Sequence, residues 1–445
     1  MTEKKIMEKL LRLIKKLIPK PVFLFFQPAY HFLLAVTGNV LYRFPGYKLI
    51  VIGVTGTNGK STTCDLITRV LKESNELVGM ISTVSIEIAG ERYDNVTNRT
   101  TLGRWKTHKL MRQMVRRGCK YAVIEVASEG IAWYRIFGIP FDAAVYTNLS
   151  PEHLNFHKTM KNYRNTKGKL FAKLDSPFNF KKTKRVSIVN ADDKEAPYFS
   201  GFKADEKMTY GIKNGSLRAK RIEHLSSCIN YQIENAGHTT NVTTKAIGEF
   251  NIYNELAAFC VGLAYGIKPE IMAKAFKNFA GTKGRVEKIE EGQKFQVIVD
   301  YAHTPDAQEK VYTELRRFSK GRIISVFGAT GDKDRGKRPE MGRVAAHLTD
   351  IAIITDDETY GEKSEKIIQE IYAGVPEKLQ KKVKVVPDRF AAIKEALLIA
   401  RPEDIVIITG IGHQKYRIMN SKRTGWNERK IVSDLLKNLK KRKVK

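Results

Sequence analysis

The run Gly53-Val-Thr-Gly-Thr-Asn-Gly-Lys-Ser-Thr62 has the composition of a loop that holds phosphate. Its glycines let backbone N–H groups come close to phosphate oxygens, and a helix starting at its end adds a favourable dipole. Thr57, Asn58 and Gly59 make the turn; Lys60 is spaced to reach the β- and γ-phosphates, and Ser61, followed by Thr62, to hold Mg²⁺. The strict G-x-x-x-x-G-K-[ST] spacing is missed by one position, because Val54 stands where the first glycine belongs. The plain alternative is a decorative glycine turn. Glu125 ends an apolar run, a costly place for a carboxylate unless it meets a cation. Asn251 and Asn254 lie at i and i+3 and share a helix face; they also read as an N-cap and a surface amide. Arg135 has the fork that clamps a carboxylate. His153, taken alone, reads as an ordinary loop or core histidine.

These residues need elements to hold them. LIVIGV, from Leu49, reads as a buried strand entering the glycine loop, and KSTTCDLITRVLKE as the helix leaving it. KYAVIEV and AAVYTNL read as further buried strands, residues 218–247 as short polar strands, and FNIYNELAAFCVGLAYG as a helix with a glycine stop. After Gly281-Thr-Lys-Gly284 a second series begins: FQVIVDYA, RIISVFGA, DIAIITDD, KKVKVVPD and EDIVIITG, with helix-length segments between them. Strands alternating with helices imply an α/β fold whose parallel sheets bind ligands at the strands' carboxyl ends. The expected organisation is a short basic and apolar helical segment over 1–47, a central mononucleotide-binding, P-loop-like domain over 48–283, and a Rossmann-like α/β domain over 284–445.

Lys and Arg number 78 and Asp and Glu 47, giving a net charge of +31, and hydrophobic residues make up 42%, enough to exclude a mainly disordered chain. The four cysteines, Cys64, Cys119, Cys228 and Cys260, show no zinc spacing and read as reduced cytosolic thiols. Both ends are basic: seven Lys/Arg against two Glu in the first twenty residues, and six Lys/Arg with no acid in the last nine, which read as a frayed or solvated end. Nucleic acid, an anionic membrane, phosphorylated substrates or a generally basic proteome would each explain the excess. Residues 4–18 have the spacing of a basic amphipathic helix stopped by Pro19 and Pro21. The apolar run 21–42 is interrupted by Gln27, Pro28, His31 and Asn39 and makes a poor transmembrane span. It reads as a helical cap on the next domain, or as a membrane-surface segment.

The loop resembles the T-G-T-N-G-K-[ST]-T nucleotide loop of the Mur ligase family, and the resemblance runs from about Leu49 to Leu436. Its nearest type is MurE, the UDP-N-acetylmuramoyl-tripeptide synthetases. Motifs recur in family order: Thr100-Thr101, Glu125-Val-Ala-Ser-Glu-Gly130, Thr147-Asn-Leu-Ser-Pro-Glu-His153, Tyr163-x-x-x-Lys167-x-x-Leu-Phe171, Phe250-Asn-x-x-Asn254, Gly284-Arg285, Asp300-Tyr-Ala-His-Thr-Pro-Asp306 and Gly331-Asp-Lys-Asp-Arg-Gly-Lys-Arg-Pro339. The resemblance implies an ATP-dependent amide ligase of peptidoglycan assembly that makes an acyl phosphate for an amine to attack. It implies two Mg²⁺, with Glu125, His153 and Lys167 beside Ser61. Lys167 matches a lysine often carbamylated in the family; unmodified, it would hold substrate or phosphate directly. Asn251 and Asn254 would contact adenine, Arg285 the γ-phosphate, Asp300 the ribose with His303 beside it, and Asp332 and Arg335 the nucleotide. Thr100, Thr101, Ser128 and Arg135 would hold the muramoyl-peptide.

Three departures bear on specificity. Residues 1–47 are too short for the family's uridine-binding domain, so a lipid-linked or compact acceptor and a peripheral membrane location join the expectations. The D-N-P-R of diaminopimelate-adding enzymes reads Asp357-Glu-Thr-Tyr360, among Asp356, Glu358 and Glu362, which points to an ammonium and hence L-lysine or another diamino acid; an exposed acidic turn is the alternative. The G-K-G-H-E motif reads Gly410-Ile-Gly-His-Gln414, and Ala127 and Glu129 replace Ser and His in E-V-S-S-H. A cytoplasmic monomer without specific nucleic-acid binding is expected. The rival readings are a folylpolyglutamate-synthetase-like ligase and a non-catalytic, nucleotide-gated nucleic-acid- or membrane-binding protein.

Overall fold

Strand β1, Ile50–Thr55, lies inside an eleven-stranded sheet of a computed structural model that describes residues 20–97, 99–225, 228–279 and 281–443. The other ten strands are β2 (Val78–Ile81), β3 (Ser85–Ile88), β4 (Glu91–Asp94), β5 (Tyr121–Glu125), β6 (Ala143–Tyr146), β7 (Val186–Asn190), β8 (Glu206–Gly211), β9 (Leu217–His224), β10 (Ile229–Asn235) and β11 (His238–Thr244). Their order is β11-β10-β9-β8-β7-β6-β1-β5-β2-β3-β4. The strands beside β1 are parallel to it, and register sets Val54 opposite Glu125 and Thr55 opposite Tyr146. Alternate β1 side chains feed two cores. Ile52 and Val54 meet Leu66, Ile67 and Val70 of helix Lys60–Glu73 and Leu256 and Phe259 of helix Glu249–Ala264. Val51 faces Met111 and Met114 of helix Arg104–Arg116 and Leu170 and Phe171 of helix Met160–Ala172. Burial on both faces is why these strands read as continuous apolar runs.

A second, six-stranded sheet holds β12 (Glu287–Lys288), β13 (Gln296–Asp300), β14 (Ile323–Phe327), β15 (Ile351–Ile354), β16 (Val383–Val385) and β17 (Ile405–Thr409), in the order β12-β13-β17-β14-β15-β16. Helices Pro305–Phe318, Lys337–Leu348 and Ser364–Tyr372 cover one face, and Arg389–Ile399 and Glu428–Lys443 the other. The basic end is therefore helical as far as Lys443: Val432, Leu435 and Leu436 are buried while Lys430, Lys437 and Lys440 stay in water. A hairpin of β18 (Tyr416–Met419) and β19 (Lys422–Gly425) stands apart.

The two sheets meet at Gly281-Thr-Lys-Gly284. Gly281 and Gly284 have φ of +104° and +61°, and a Cβ at Gly284 would run into the backbone of His413. This hinge is pinned to the first sheet. Thr282 Oγ1 donates to Asp65 Oδ2 at 3.2 Å, Arg92 Nη1 donates to Asp65 Oδ1 at 2.8 Å, and Asp94 meets both Lys283 and Lys415.

Helix Lys20–Leu41 runs unbroken through Gln27 and Pro28, which interrupt only the apolar run. Packing outweighs the lost backbone bond. Ala35 and Asn39 are buried, Asn39 Nδ2 donates to the carbonyl of Phe137 at 3.0 Å, Trp105 Nε1 donates to that of Leu34 at 2.9 Å, and the Phe32 and Phe137 rings lie 4.7 Å apart. This is the helical cap of the sequence reading, although Tyr30, Leu33, Val40 and Leu41 stay exposed. Among the described residues no helix is long and apolar enough to cross a membrane. The amphipathic helix expected over 4–18 lies outside the described residues.

Candidate functional site

Between β1 and helix Lys60–Glu73 the chain turns through Gly56 and Gly59, with φ of +148° and +82°. A side chain at Gly56 would strike Thr147, and one at Gly59 would strike Asn254, so the loop can sit this deep only with glycine there. Thr57 N donates to the carbonyl of Asn148 at 2.8 Å, and Asn58 N to Asn148 Oδ1 at 2.9 Å. Lys60 Nζ donates to the carbonyl of Thr57 at 2.6 Å.

Glu125 is 1% exposed at the end of β5. Its Oε2 accepts from Ser61 Oγ at 2.9 Å and Thr83 N at 2.7 Å, and its Oε1 from Thr83 Oγ1 at 2.8 Å. The buried carboxylate is thus satisfied by three donors, and the phosphate-loop serine touches it directly. Among the described residues no group of three or more His, Cys, Asp or Glu side chains makes a ready metal cage. Mg²⁺ does not need one, since it commonly takes one or two carboxylates and draws its other ligands from phosphate and water. A hydroxyl touching a buried carboxylate at the end of a phosphate loop fits that ion.

Lys167 is also 1% exposed; Nζ donates to the carbonyl of Gly56 at 2.6 Å and lies 4.4 Å from the centre of the Tyr163 ring. Burial, reinforced by the charge of Lys60, holds its ammonium well below the usual lysine range. His153 has φ +56°, with Nδ1 3.5 Å from Glu129 and Nε2 3.8 Å from Glu152, and burial lowers its pKa. Glu152 also reaches His303 Nε2 at 3.3 Å, across the gap between the sheets. Burial pulls its carboxyl upward, but the hydrogen bond to His303 and the nearby positive charges hold it well below the usual range.

Two cavities share this gap. The first, 560 Å³, is lined by Asn58, Gly59, Thr62, Asn251, Asn254, Arg285, Asp300 and His303. Asn254 Nδ2 donates to Asn251 Oδ1 at 3.1 Å, and Asn251 Nδ2 to the carbonyl of Ile247 at 2.7 Å, which orients both amides. The Arg285 guanidinium stacks 4.5 Å from the centre of the Tyr301 ring. Asp300 accepts from the backbone N–H groups of Val286 and Ala302, both at 2.7 Å, and burial raises its pKa despite Arg285. Asp306 accepts from Asn58 Nδ2 at 2.9 Å and Ser150 Oγ at 3.0 Å, so the second sheet's side of the gap grips the phosphate loop itself.

The second cavity, 640 Å³, brings Thr57, Lys60, Thr100, Thr101, Glu125, Ser128, Arg135, His153 and Lys167 opposite Arg285, His303, Tyr360 and Gln414. Thr101 Oγ1 accepts from Ala127 N at 2.9 Å and its carbonyl from Arg135 Nη1 at 2.9 Å. Ser128 Oγ is 2.9 Å from His157 Nε2. Gln414 is largely buried, and its Oε1 has no hydrogen-bond partner.

Five of the expected residues do not reach either wall. Ser61 lies behind Glu125, to which its Oγ donates. Asp332 Oδ2 accepts from Gly361 N at 2.9 Å, and Arg335 lies 3.0 Å from Glu362. Asp357 Oδ1 accepts from Glu358 N at 2.6 Å, and Gly410 packs against Asp357. The acidic turn is largely neutralised: Asp356 pairs with Arg417, and Glu362 with Arg335 and Arg338. Glu358 remains at the wall, its pKa pushed up to about 7 by burial and then by Asp357. Thr83, Glu152, Asp306, Lys333 and Lys337 line the cavities without having been singled out. Glu152, Asp306, Lys333 and Lys337 sit inside motifs already quoted and were legible there; Thr83 carries no local signal.

Comparison with known proteins agrees with this architecture. The Mur ligase middle domain matches residues 54–262, and the Mur ligase glutamate ligase domain residues 284–412. A UDP-N-acetylmuramoyl-L-alanyl-D-glutamate–2,6-diaminopimelate ligase of Geobacillus thermodenitrificans is 36% identical over 405 residues, covering 91% of this chain and 82% of that protein. A protein of the same name from Aquifex aeolicus is 38% identical over 394 residues, covering 88% and 78%. A solved structure of that name superposes with a TM-score of 0.61 at 27% identity, covering 88% of this chain and 79% of the other.

Proposed function

Because the chain belongs to the Mur ligase family, we propose that it uses ATP to join an amino acid to the D-glutamate of a UDP-N-acetylmuramoyl-L-alanyl-D-glutamate-type acceptor, a step of peptidoglycan assembly. One observation carries the reading. Arg285 and His303 stand on the wall common to both cavities, so a triphosphate in the first presents its terminal phosphate to an acceptor in the second.

The chemistry follows from that placement. The acceptor carboxylate attacks the γ-phosphorus, ADP leaves, and an acyl phosphate forms; the amine then attacks the carbonyl carbon, releasing phosphate and a proton. Transfer of this kind is driven by positioning and charge neutralisation. Lys60 and Arg285 supply fixed positive charge, Asn251 and Asn254 take the adenine edge, and Asp300 takes the ribose. Asp332 and Arg335, which reach neither cavity, brace Gly361 and Glu362 instead. Ser61 and Glu125 would hold one Mg²⁺, and His153 and Lys167, the latter as its carbamate, a second; bound, the ions would supply neutralisation of phosphate charge. Burial, reinforced by Lys60, shifts Lys167 toward the neutral amine that carbamylation requires. Thr100, Thr101, Ser128 and Arg135 hold the muramoyl-peptide.

The amino acid is a diamino acid: L-lysine, or the 2,6-diaminopimelate in the relatives' names. Glu358 at the wall suits a side-chain ammonium; Lys333, 5.6 Å from the centre of the Tyr360 ring, suits a distal carboxylate. Residues 1–47 add a peripheral contact with the membrane, which brings a lipid-linked acceptor within reach; the protein acts as a cytoplasmic monomer. The test incubates protein, ATP and Mg²⁺ with UDP- and lipid-linked acceptors and an amino-acid panel, reading ADP, phosphate and product mass. A tripeptide product is expected. Product from folate and glutamate alone, or none from any muramoyl acceptor, overturns the reading.

A further inference from the structure

Helix Lys20–Leu41 carries apolar side chains on the side it does not bury. Tyr30, Leu33, Val40 and Leu41 recur at helical spacing and are 43%, 61%, 58% and 59% exposed. A surface helix normally turns its apolar stripe inward; here the inward face is already supplied by Ala35, Gly38 and Asn39. The outward stripe continues past the helix. Phe44 and Tyr47 are exposed with ring centres 6.5 Å apart, and Tyr47 OH donates to the carbonyl of Phe178. Phe178 and Phe180, each 75% exposed, stand on a loop that Lys181 ties to the carbonyls of Gly46 and Leu49 and to Asp142. Helix end and loop therefore form one surface on the first sheet's side of the molecule.

Basic side chains predominate on this surface, although Asp175, Asp205 and Glu206 flank the loop and pair with Lys203, Arg185 and Lys184. Residues 20–48 hold three basic side chains and no acid, and residues 176–185 hold four and no acid. Arg43, Lys48, Lys182 and Lys184 are exposed among the aromatic rings, with Lys184 reaching Glu206. A contiguous apolar patch on a soluble surface marks an interaction site.

We propose that this face docks on an anionic bilayer, with Phe178 and Phe180 at the boundary between headgroups and acyl chains and Arg43, Lys48 and Lys182 on lipid phosphates. Three observations select that partner. The exposed side chains include aliphatic Leu33, Val40 and Leu41 as well as Phe44, Phe178 and Phe180; lipid buries both kinds, whereas a base stacks only on the rings. The basic side chains match anionic headgroups. A second copy of this chain would bring the same positive charges face to face in a two-fold contact. The proposal rests on the membrane contact given above for residues 1–47, and extends it to residues 176–184.

The test is flotation of the full chain with vesicles of phosphatidylglycerol and phosphatidylcholine, against phosphatidylcholine alone. Wild type floats with the anionic vesicles only. Phe178→Ser with Phe180→Ser lowers partitioning at least about tenfold, and each of Arg43→Ser, Lys48→Ser and Lys182→Ser lowers it roughly fivefold. Ligase turnover in detergent stays at wild-type level, showing that the fold is intact. If the phenylalanine variant floats as well as wild type while Leu10→Ser with Leu11→Ser and Ile14→Ser does not, this inference is overturned and the contact through residues 1–47 stands. If wild type never floats, both are overturned. Light scattering that shows a dimer abolished by the phenylalanine variant, or single-stranded RNA displacing the vesicles, also overturns it.

Discussion

Replacing Glu125 by glutamine removes a charge while keeping nearly every atom in place. The carboxylate accepts from Thr83 N, Thr83 Oγ1 and Ser61 Oγ. A glutamine with its oxygen toward Thr83 N and Ser61 Oγ keeps two of these bonds. Its amide N–H then meets Thr83 Oγ1, which can accept because its own hydrogen has another partner, Thr100 Oγ1, at 3.0 Å. No buried donor is stranded, so the cost is the charge assistance on two bonds, about 1–2 kcal/mol. At about 2–4 °C per kcal/mol for a unit of this size, melting falls by about 2–8 °C. In the role proposed for Glu125 beside Mg²⁺, the variant would lose its charge toward the phosphates, and the expected loss in kcat is about 10²–10³-fold, or roughly 3–4 kcal/mol. ADP release followed across a Mg²⁺ titration, beside thermal unfolding, separates the two effects. A variant within tenfold of wild-type kcat at the same Mg²⁺ midpoint would refute the cation role of Glu125. A loss of more than about 4 kcal/mol in stability would refute the hydrogen-bond exchange.

Three further expectations follow from groups away from the reacting atoms. Glu255 is buried and hydrogen-bonded by Tyr231 and Thr244, and burial raises its pKa to about 7. The folded state therefore holds a proton that the unfolded chain has released between about pH 4.5 and 7, and stability declines as pH rises through that window, by about 3 kcal/mol in all. Glu255→Gln should flatten this slope in urea titrations run from pH 5 to 8. Arg389→Ala should destabilise by about 3–5 kcal/mol in the same assay, because Glu428, fully buried at 2.7 Å, loses its counter-ion. Asp306→Ala breaks the bonds to Asn58 and Ser150 and should raise KM for ATP about 5–30-fold, for a loss of about 1–2 kcal/mol, with kcat little changed; an unchanged KM would count against the grip on the phosphate loop.

Much of this molecule can be read from its residues. The helix after the glycine loop runs from Lys60 to Glu73, the bounds of the apolar-periodic segment itself, because local propensity and burial agree there. Five of the second sheet's six strands fall within the five apolar runs for the same reason, while the two-residue edge strand Glu287–Lys288 carries no such run. Harder to read is whatever depends on long-range partners. Thr83 meets Glu125 across 42 positions of sequence, and nothing near a threonine in a polar turn announces that. Asp332 and Arg335 have the right types but spend them on Gly361 and Glu362. The acidic turn at Asp356–Glu362 looks more negative in sequence than it is, because Arg417 and Arg338 arrive from distant segments.

Asp65 sits in the second turn of the helix that starts at the phosphate loop, and it is the group to which Thr282 of the inter-sheet glycine segment is bonded. The helix therefore joins the glycine loop at one end to the inter-sheet segment at its side. Lys60 and Ser61 stand within about two helical turns of that bond. A shift of this helix would be felt at the inter-sheet segment through Asp65, beside the Asp94 pairs with Lys283 and Lys415.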